Sequence, residues 1–213
     1  DPNNPLGLSI MAGELLGRGD IEQGLEFHRR AVAADPLHIT NLGNMSIYLR
    51  MTGRLDEAEF YALKAMEVAP TSAIGAASLG YVRLLQGRAQ EALDLVSAFP
   101  EERPGVQGDG YLFMVAMARH TLGDARGSDG ALETYRDRYA ADFPMHIAYL
   151  HAWRGEADLA FKWLDEAMAQ DGGDIEVLSF MDPFLFSLHG DPRWQAITAR
   201  WPEVDEWPEP PAP

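Results

Sequence analysis

Histidine is the side chain best suited to moving protons or holding a metal near neutral pH, and the chain has six. The closest two, His146 and His151, stand five residues apart, whereas two ligands on one helical face need a spacing of three or four. They read as one exposed and one packed imidazole. Paired carboxylates are the other route to acid and base chemistry, but Asp56-Glu57, Glu101-Glu102 and Asp165-Glu166 are immediate neighbours. Neighbours on a helix point about 100° apart, so these pairs read as solvated faces. No phosphate-cradling glycine loop, nucleophile elbow or zincin pair occurs. The chain has no cysteine, which removes disulfides and thiolate metal sites. No catalytic residue, metal or cofactor is expected, and this chain is not expected to be an enzyme.

The charge balance narrows the partners. A formal charge of −16 with only two lysines, Lys64 and Lys162, is the wrong surface for a nucleic acid, which is held by clustered Lys and Arg. Anionic membranes are disfavoured for the same reason, and no run of about 18 apolar residues is present to insert into a bilayer. The acidic exterior reads as a solubility device. Asp1-Pro2 opens the chain with neither a basic region nor an apolar signal core. A cytoplasmic setting is expected, and a periplasmic one is equally compatible with the absence of cysteine.

If chemistry is absent, the elements themselves carry the message. Pro2, Pro36 and Pro70 are 34 residues apart, and Gly19, Gly53 and Gly87 keep the same interval. Between them, apolar residues recur at three and four, as in Leu42, Met45 and Leu49, which is helical spacing. Each glycine stops a first helix by accepting a left-handed backbone, and each proline stops a second helix. Counting from Ile39 as position 1, position 8 holds Ala12, Ser46, Gly80, Ala116 and Ala148, and position 20 holds Gly24, Ala58, Ala92, Ser128 and Ala160. Small residues at fixed places let two helix axes approach closely. With Gly123 and Gly155 the glycine intervals run 34, 34, 36 and 32, so the register drifts in the later units.

These residues resemble the tetratricopeptide repeat family, whose units carry Leu-Gly at positions 7 and 8, alanine at 20 and 27, and proline at 32. Repeat two, with GRLDEAEFYALKAMEVAP over Gly53–Pro70, is the closest match; GRAQEAL (Gly87–Leu93) and GEADLAFKWLDEAM (Gly155–Met168) follow, while repeat four has Ser128 and Tyr135 in place of the alanines. The resemblance implies an all-α, right-handed solenoid of about five hairpins. The units run 5–38, 39–72, 73–108, 109–140 and 141–172, with a C-terminal cap over 173–201, all in a single domain 1–201 followed by a flexible acidic, proline-rich tail 202–213.

In proteins of this kind the first helices line a concave surface for a peptide. Carried onto this chain, the groove positions are Ile47, Arg50 and Met51; Ile74, Ala77 and Tyr81; Phe113, Met117 and His120; and Met145, Tyr149 and Trp153. Such an apolar and aromatic lining suits a protein or peptide segment with apolar anchors. A structural alternative is that some of these side chains pack between helices, above all in the drifted repeats. The family's carboxylate clamp is not expected, because the matching places hold Ser9, Gly13, Asn44, Ile74 and Ser78, of which only Asn44 fits. Two other functions stay open: an oligomerisation module working through the groove or the array ends, and a small-ligand sensor around Tyr81, Met117 and Tyr149.

The segment 100–110 is rich in Pro and Gly and reads as a loop, either a spacer or a lid over the groove. Beyond Gly172-Gly173, a helix end, Asp182-Pro183 and Asp191-Pro192 are N-cap and first-turn pairs that start helices. Trp194, Ile197 and Trp201 then form one apolar face that covers the end of the array. The stretch Met181–Trp201 is similar to the close of tetratricopeptide regions in bacterial signalling proteins, where they follow a cyclase or a winged-helix regulator domain. Arginine far outnumbers lysine, in keeping with a GC-rich bacterial source. Pro2 stands where the closing proline of a preceding repeat would stand, and no initiator methionine is present, so the chain reads as part of a longer or processed protein.

Overall fold

Helical hairpins closed by left-handed glycines make up the computed structural model, which describes residues 4–98, 108–170, 177–202 and 204. The hairpins are α1 (Pro5–Gly17) with α2 (Ile21–Ala34), α3 (Ile39–Met51) with α4 (Leu55–Val68), α5 (Ala73–Leu85) followed by α6 (Ala89–Ser97), α7 (Gly108–Thr121) with α8 (Ala125–Tyr139), and α9 (Pro144–Trp153) with α10 (Ala157–Gln170). A short α11 (Val177–Phe180), a 3-10 turn (Pro183–Leu188) and α12 (Pro192–Thr198) follow. Among the described residues there is no strand.

The turn at Gly53 shows why the hairpins form. Gly53 has φ +74°, which a side chain would oppose. Its N–H donates to the Arg50 carbonyl at 3.0 Å and the Arg54 N–H donates to the Leu49 carbonyl at 2.8 Å, so two orphan carbonyls of α3 are satisfied. The Arg54 carbonyl then accepts from the Ala58 N–H at 3.0 Å and opens α4. One residue thus ends one helix and begins the next. The glycines at 19, 87, 123 and 155 repeat the geometry with φ between 73° and 87°. At positions 54 and 88 the N-cap arginine also grips the glutamate three residues on, Arg54 to Glu57 at 2.7 and 2.9 Å and Arg88 to Glu91 at 2.7 and 2.6 Å.

Such a tight turn holds the two helices close, and small residues lie at the contact in repeats one and four. All ten residues at positions 8 and 20 are buried. In repeat four the contact is a hydrogen bond, Ser128 Oγ donating to the Ala116 carbonyl at 2.8 Å. In repeat one it is so close that a Cβ on Gly24 would lie 2.5 Å from Leu16 Cγ and 3.1 Å from the Ala12 carbonyl oxygen.

The packing sorts the chain into two compact units. Unit 1 comprises Asp1–Val82, Glu176–Pro183 and Trp201–Pro213. Its core joins Leu16, Leu25, Leu42, Met45, Leu49 and Ala58 to Val177, Leu178 and Met181. Unit 2 comprises Arg83–Ile175 and Phe184–Arg200, with Met114, Met117, Tyr135, Ile147, Leu150 and Leu164 buried. Helices pack as adjacent pairs in both: α1 with α2 and α3 with α4 in the first, α7 with α8 and α9 with α10 in the second.

Two sequence expectations need adjustment. Residues 108–110, read as loop, already belong to α7; a first turn has free N–H groups in any case and tolerates glycine. The rest of that segment and Gly172-Gly173 lie outside the described residues, as does most of the tail. The apolar face of Trp194, Ile197 and Trp201 is divided, because α12 ends at Thr198. Trp201 precedes Pro202, which disfavours the helical backbone for it; it packs on Phe180 in unit 1, ring centroids 4.8 Å apart, while Trp194 and Ile197 are buried in unit 2. The Asp191-Pro192 start forms as expected. Asp191 accepts from the Arg193 N–H at 2.9 Å, and the Arg193 guanidinium holds its carboxyl down to about 2.

Two glycine substitutions in opposite senses test the turn. Gly53→Ala should cost about 1–2 kcal/mol in urea unfolding, the penalty of a left-handed side chain, whereas Gly130→Ala in α8, where a Cβ meets nothing within 4 Å, should stabilise by up to about 1 kcal/mol. Gly24→Ala should lose about 1–3 kcal/mol from overpacking, even though alanine fills the same place in three other repeats.

Candidate functional site

In unit 1 the first helices α1, α3 and α5 adjoin one another. Ser9 Oγ donates to Asn41 Oδ1 at 2.9 Å between α1 and α3, and a Cβ on Gly43 would lie 2.5 Å from Ile74 Cγ2 of α5. Arg50, near the end of α3, is only 6% exposed, yet it is a full charge. Asp182, 2% exposed, supplies the countercharge: Nη1 and Nη2 donate to its two carboxylate oxygens at 2.7 and 2.8 Å. The guanidinium also lies over the Tyr81 ring, 5.5 Å from its centroid. Around this pair the other predicted residues take different places. Met51 is buried in the core, Ile47 packs half-buried against it, Ala77 and Tyr81 are half-buried, and Ile74 is 40% exposed.

Asp182 has a role beyond the N-cap expected of it. A cap bond contributes about 1 kcal/mol, and a charged, two-pronged bond to a buried guanidinium is stronger, so the carboxylate faces Arg50. The turn that follows is 3-10 in place of an α-helix.

In unit 2 the corresponding face is made by α7 and α9. Trp153 Nε1 donates to Thr121 Oγ1 at 3.0 Å across the two helices. Phe184 sits on Phe113, Tyr149 and Trp153, with centroids 5.9, 6.1 and 5.6 Å away, and Ser187 Oγ donates to the Ala152 carbonyl at 2.7 Å. Phe113, Met117 and Tyr149 are buried, whereas His120, Met145 and Trp153 are half-buried. The structure therefore brings Arg50 to Tyr81, and Phe113 to Tyr149 and Trp153 by way of Phe184. It encloses Met117 in the core.

Sequence reasoning missed Asp182 and Phe184. Phe180 through Leu185 are six consecutive buried residues, but the run includes Asp182 and Pro183 and carries no apolar period that would mark it in the sequence. His146 is half-buried and His151 is buried. His146 Nδ1 meets the Tyr135 hydroxyl at 2.7 Å and its ring stacks on Phe143, while His151 Nδ1 meets Glu156 Oε2 at 2.6 Å. The two imidazoles serve different partners. Among the described residues no three His, Asp or Glu side chains gather where they could hold a metal. A cleft of about 510 Å³ in unit 2 opens beside Tyr111, Val115, Arg119, Asp124, Arg126 and Thr134, and none of the three residues named for a small-ligand sensor lines it.

One buried titratable group stands apart from the faces. His28 is fully buried, donates Nε2–H to the Asn41 carbonyl at 2.9 Å and meets Tyr48 edge to face at 5.2 Å. Burial pulls its pKa below the ordinary value of 6.5.

A scan against protein-family models gives no match for this chain, and a search of curated proteins finds no relative. No helix among the described residues is long and apolar enough to cross a membrane.

Asp182→Ala strands a buried guanidinium and should lower the unfolding free energy by about 3–5 kcal/mol, whereas Arg50→Met combined with Asp182→Leu should recover most of that loss; urea melts of the three chains decide. For His28, the depressed folded pKa means that the contribution is whole above the unfolded value of about 6.5 and is lost as pH falls, because the unfolded chain takes up the proton first. His189 acts in the same direction, and the carboxylates Glu57, Glu91 and Glu156 are held below the ordinary glutamate value of 4.5. Thermal melts between about pH 7.5 and 5.5 should accordingly show a shallower slope for His28→Gln than for the parent.

Proposed function

We propose that the chain is a non-catalytic scaffold of the tetratricopeptide kind that holds a protein or peptide segment against the faces of its first helices. Five left-handed glycine turns at near-34-residue intervals, with buried small residues at positions 8 and 20, support the architecture. One observation supports the activity most directly. In each unit the first-helix face already grips a stretch of chain from outside the hairpins, by the Arg50 ion pair to Asp182 in unit 1 and by the aromatic seat of Phe184 in unit 2. Side chains expected to bind a segment thus have the chemistry to do so. Around them Ile47, Ile74, Ala77 and Tyr81, and separately His120, Met145 and Trp153, are half-buried or exposed and can be reached by an apolar partner. The setting in a bacterial regulatory protein rests on the resemblance of Met181–Trp201 alone.

Truncations that test this reading must avoid the core, which excludes Met117. A peptide selected from a displayed random library on the intact chain should lose about tenfold or more in affinity with Ile47→Ala plus Tyr81→Ala, or with Met145→Ala plus Trp153→Ala, at unchanged helicity. If neither pair weakens a selected peptide, the first-helix faces are not where segments bind.

A further inference from the structure

The cleft of unit 2 lies between α7 and α8 and shares no residue with the face that seats Phe184. The internal repeat shows why there is space at this place. At positions 19, 22 and 23, repeat two has Glu57, Phe60 and Tyr61, and repeats one, three and five likewise have aspartate or a larger residue at all three. Repeat four has Gly127, Gly130 and Ala131. A Cβ on Gly130 would meet nothing within 4 Å, so no neighbour has moved in to fill the gap. Glycine is a poor helix former, and two of them inside α8 are kept against the stability of that helix.

What lines the opening sets its chemistry. A Cβ on Gly127 would collide with Arg119 and with the Asp124 carboxylate, so glycine is what lets the Arg119 side chain reach across from α7 onto α8, where it lines the cleft. Arg126, in the first turn of α8, lines it too. Most arginines of this acidic chain are clamped on carboxylates, as Arg50, Arg54, Arg88 and Arg154 are at 2.6–2.9 Å. These two differ. Arg119 has only a 3.6 Å approach to Asp124, with both side chains well exposed, and the Arg126 side chain has no hydrogen bond or ion pair among the described residues. Their N–H groups are left to donate, and a guanidinium fork matches the two oxygens of a carboxylate. The walls behind them, Leu112, Val115 and Ala131, are buried and apolar. Asp124 on the same rim repels a dianion more strongly than a monoanion. A volume of about 510 Å³ is that of a small-molecule site.

We propose that the cleft between α7 and α8 binds a small organic carboxylate, with its charged group on Arg119 and Arg126 and its apolar body against Leu112, Val115 and Ala131. The site has no residue in common with the groove positions, so it stands or falls independently of segment binding.

Neutral twins of the probe make the test direct. The intact chain is titrated with octanoate, phenylacetate and indole-3-acetate, and with the amide of each, by saturation-transfer NMR and calorimetry. At least one acid should bind with a Kd below about 1 mM, and its amide at least about tenfold more weakly. Arg119→Gln should weaken that acid by about tenfold or more and narrow its advantage over the amide; the side chain is 42% exposed, so the fold does not depend on it. Gly130→Phe places in repeat four the residue that repeat two has at this position, and it should abolish binding with an unchanged circular dichroism spectrum. No binding of any of the three acids up to about 5 mM overturns the proposal. So does an amide that binds as well as its acid, or an acid that ignores Arg119→Gln or Gly130→Phe.

Discussion

The left-handed glycine is the constraint on which the hairpins depend. By closing one helix through two backbone hydrogen bonds and handing the next residue over as the cap of the following helix, it leaves no slack between them. A turn without slack fixes the distance between two helix axes, and that distance is short. Only small side chains fit where the helices cross, which is why Ala, Gly and Ser fill positions 8 and 20 and are buried in every repeat. A larger residue at the crossing would pry the pair apart and spoil the backbone bonds of the turn, so local and tertiary preferences reinforce each other.

The C-terminal segment is held by a different physics. Asp182 reaches a partner 132 residues away in sequence, and its burial with Arg50 is costly unless both carboxylate oxygens are satisfied, as they are. The energetic return of such a pair over an apolar one is small; what it supplies is register, because any shift of the segment would leave a charge unmatched. Phe184 in unit 2 is secured by area and by ring geometry instead. A charged pin and an aromatic pin hold the same short stretch, and each lies among residues that the groove pattern had singled out.

A chain so acidic keeps its copies apart through most of its surface, and the second helices contribute to this with residues such as Glu22, Glu26, Glu57 and Glu91, all exposed. The first helices are the contrasting case. Their sides carry the apolar and aromatic residues. That contrast is what the proposed binding of a segment draws on.

Period, punctuation and residue size are local properties, and so the helices, the glycine turns and the ten crossing positions could be read from the chain without coordinates. Asp191-Pro192 was legible for the same reason, since a cap is made with residues next to it. The groove positions were legible as places on a repeat, but burial is not a local property. Met117 and Tyr149 have the same composition signals as Tyr81 and Trp153, and only the three-dimensional packing separates the enclosed from the reachable. The meeting of Arg50 with Asp182 was out of reach in sequence, because nothing in an Asp-Pro pair distinguishes a cap from an ion-pair partner until a distant helix brings the guanidinium within 2.7 Å. Sequence by itself determined the hairpin, where each choice is decided within a few residues; the tertiary structure decided what covers its faces, because that depends on segments far along the chain competing for the same buried surface.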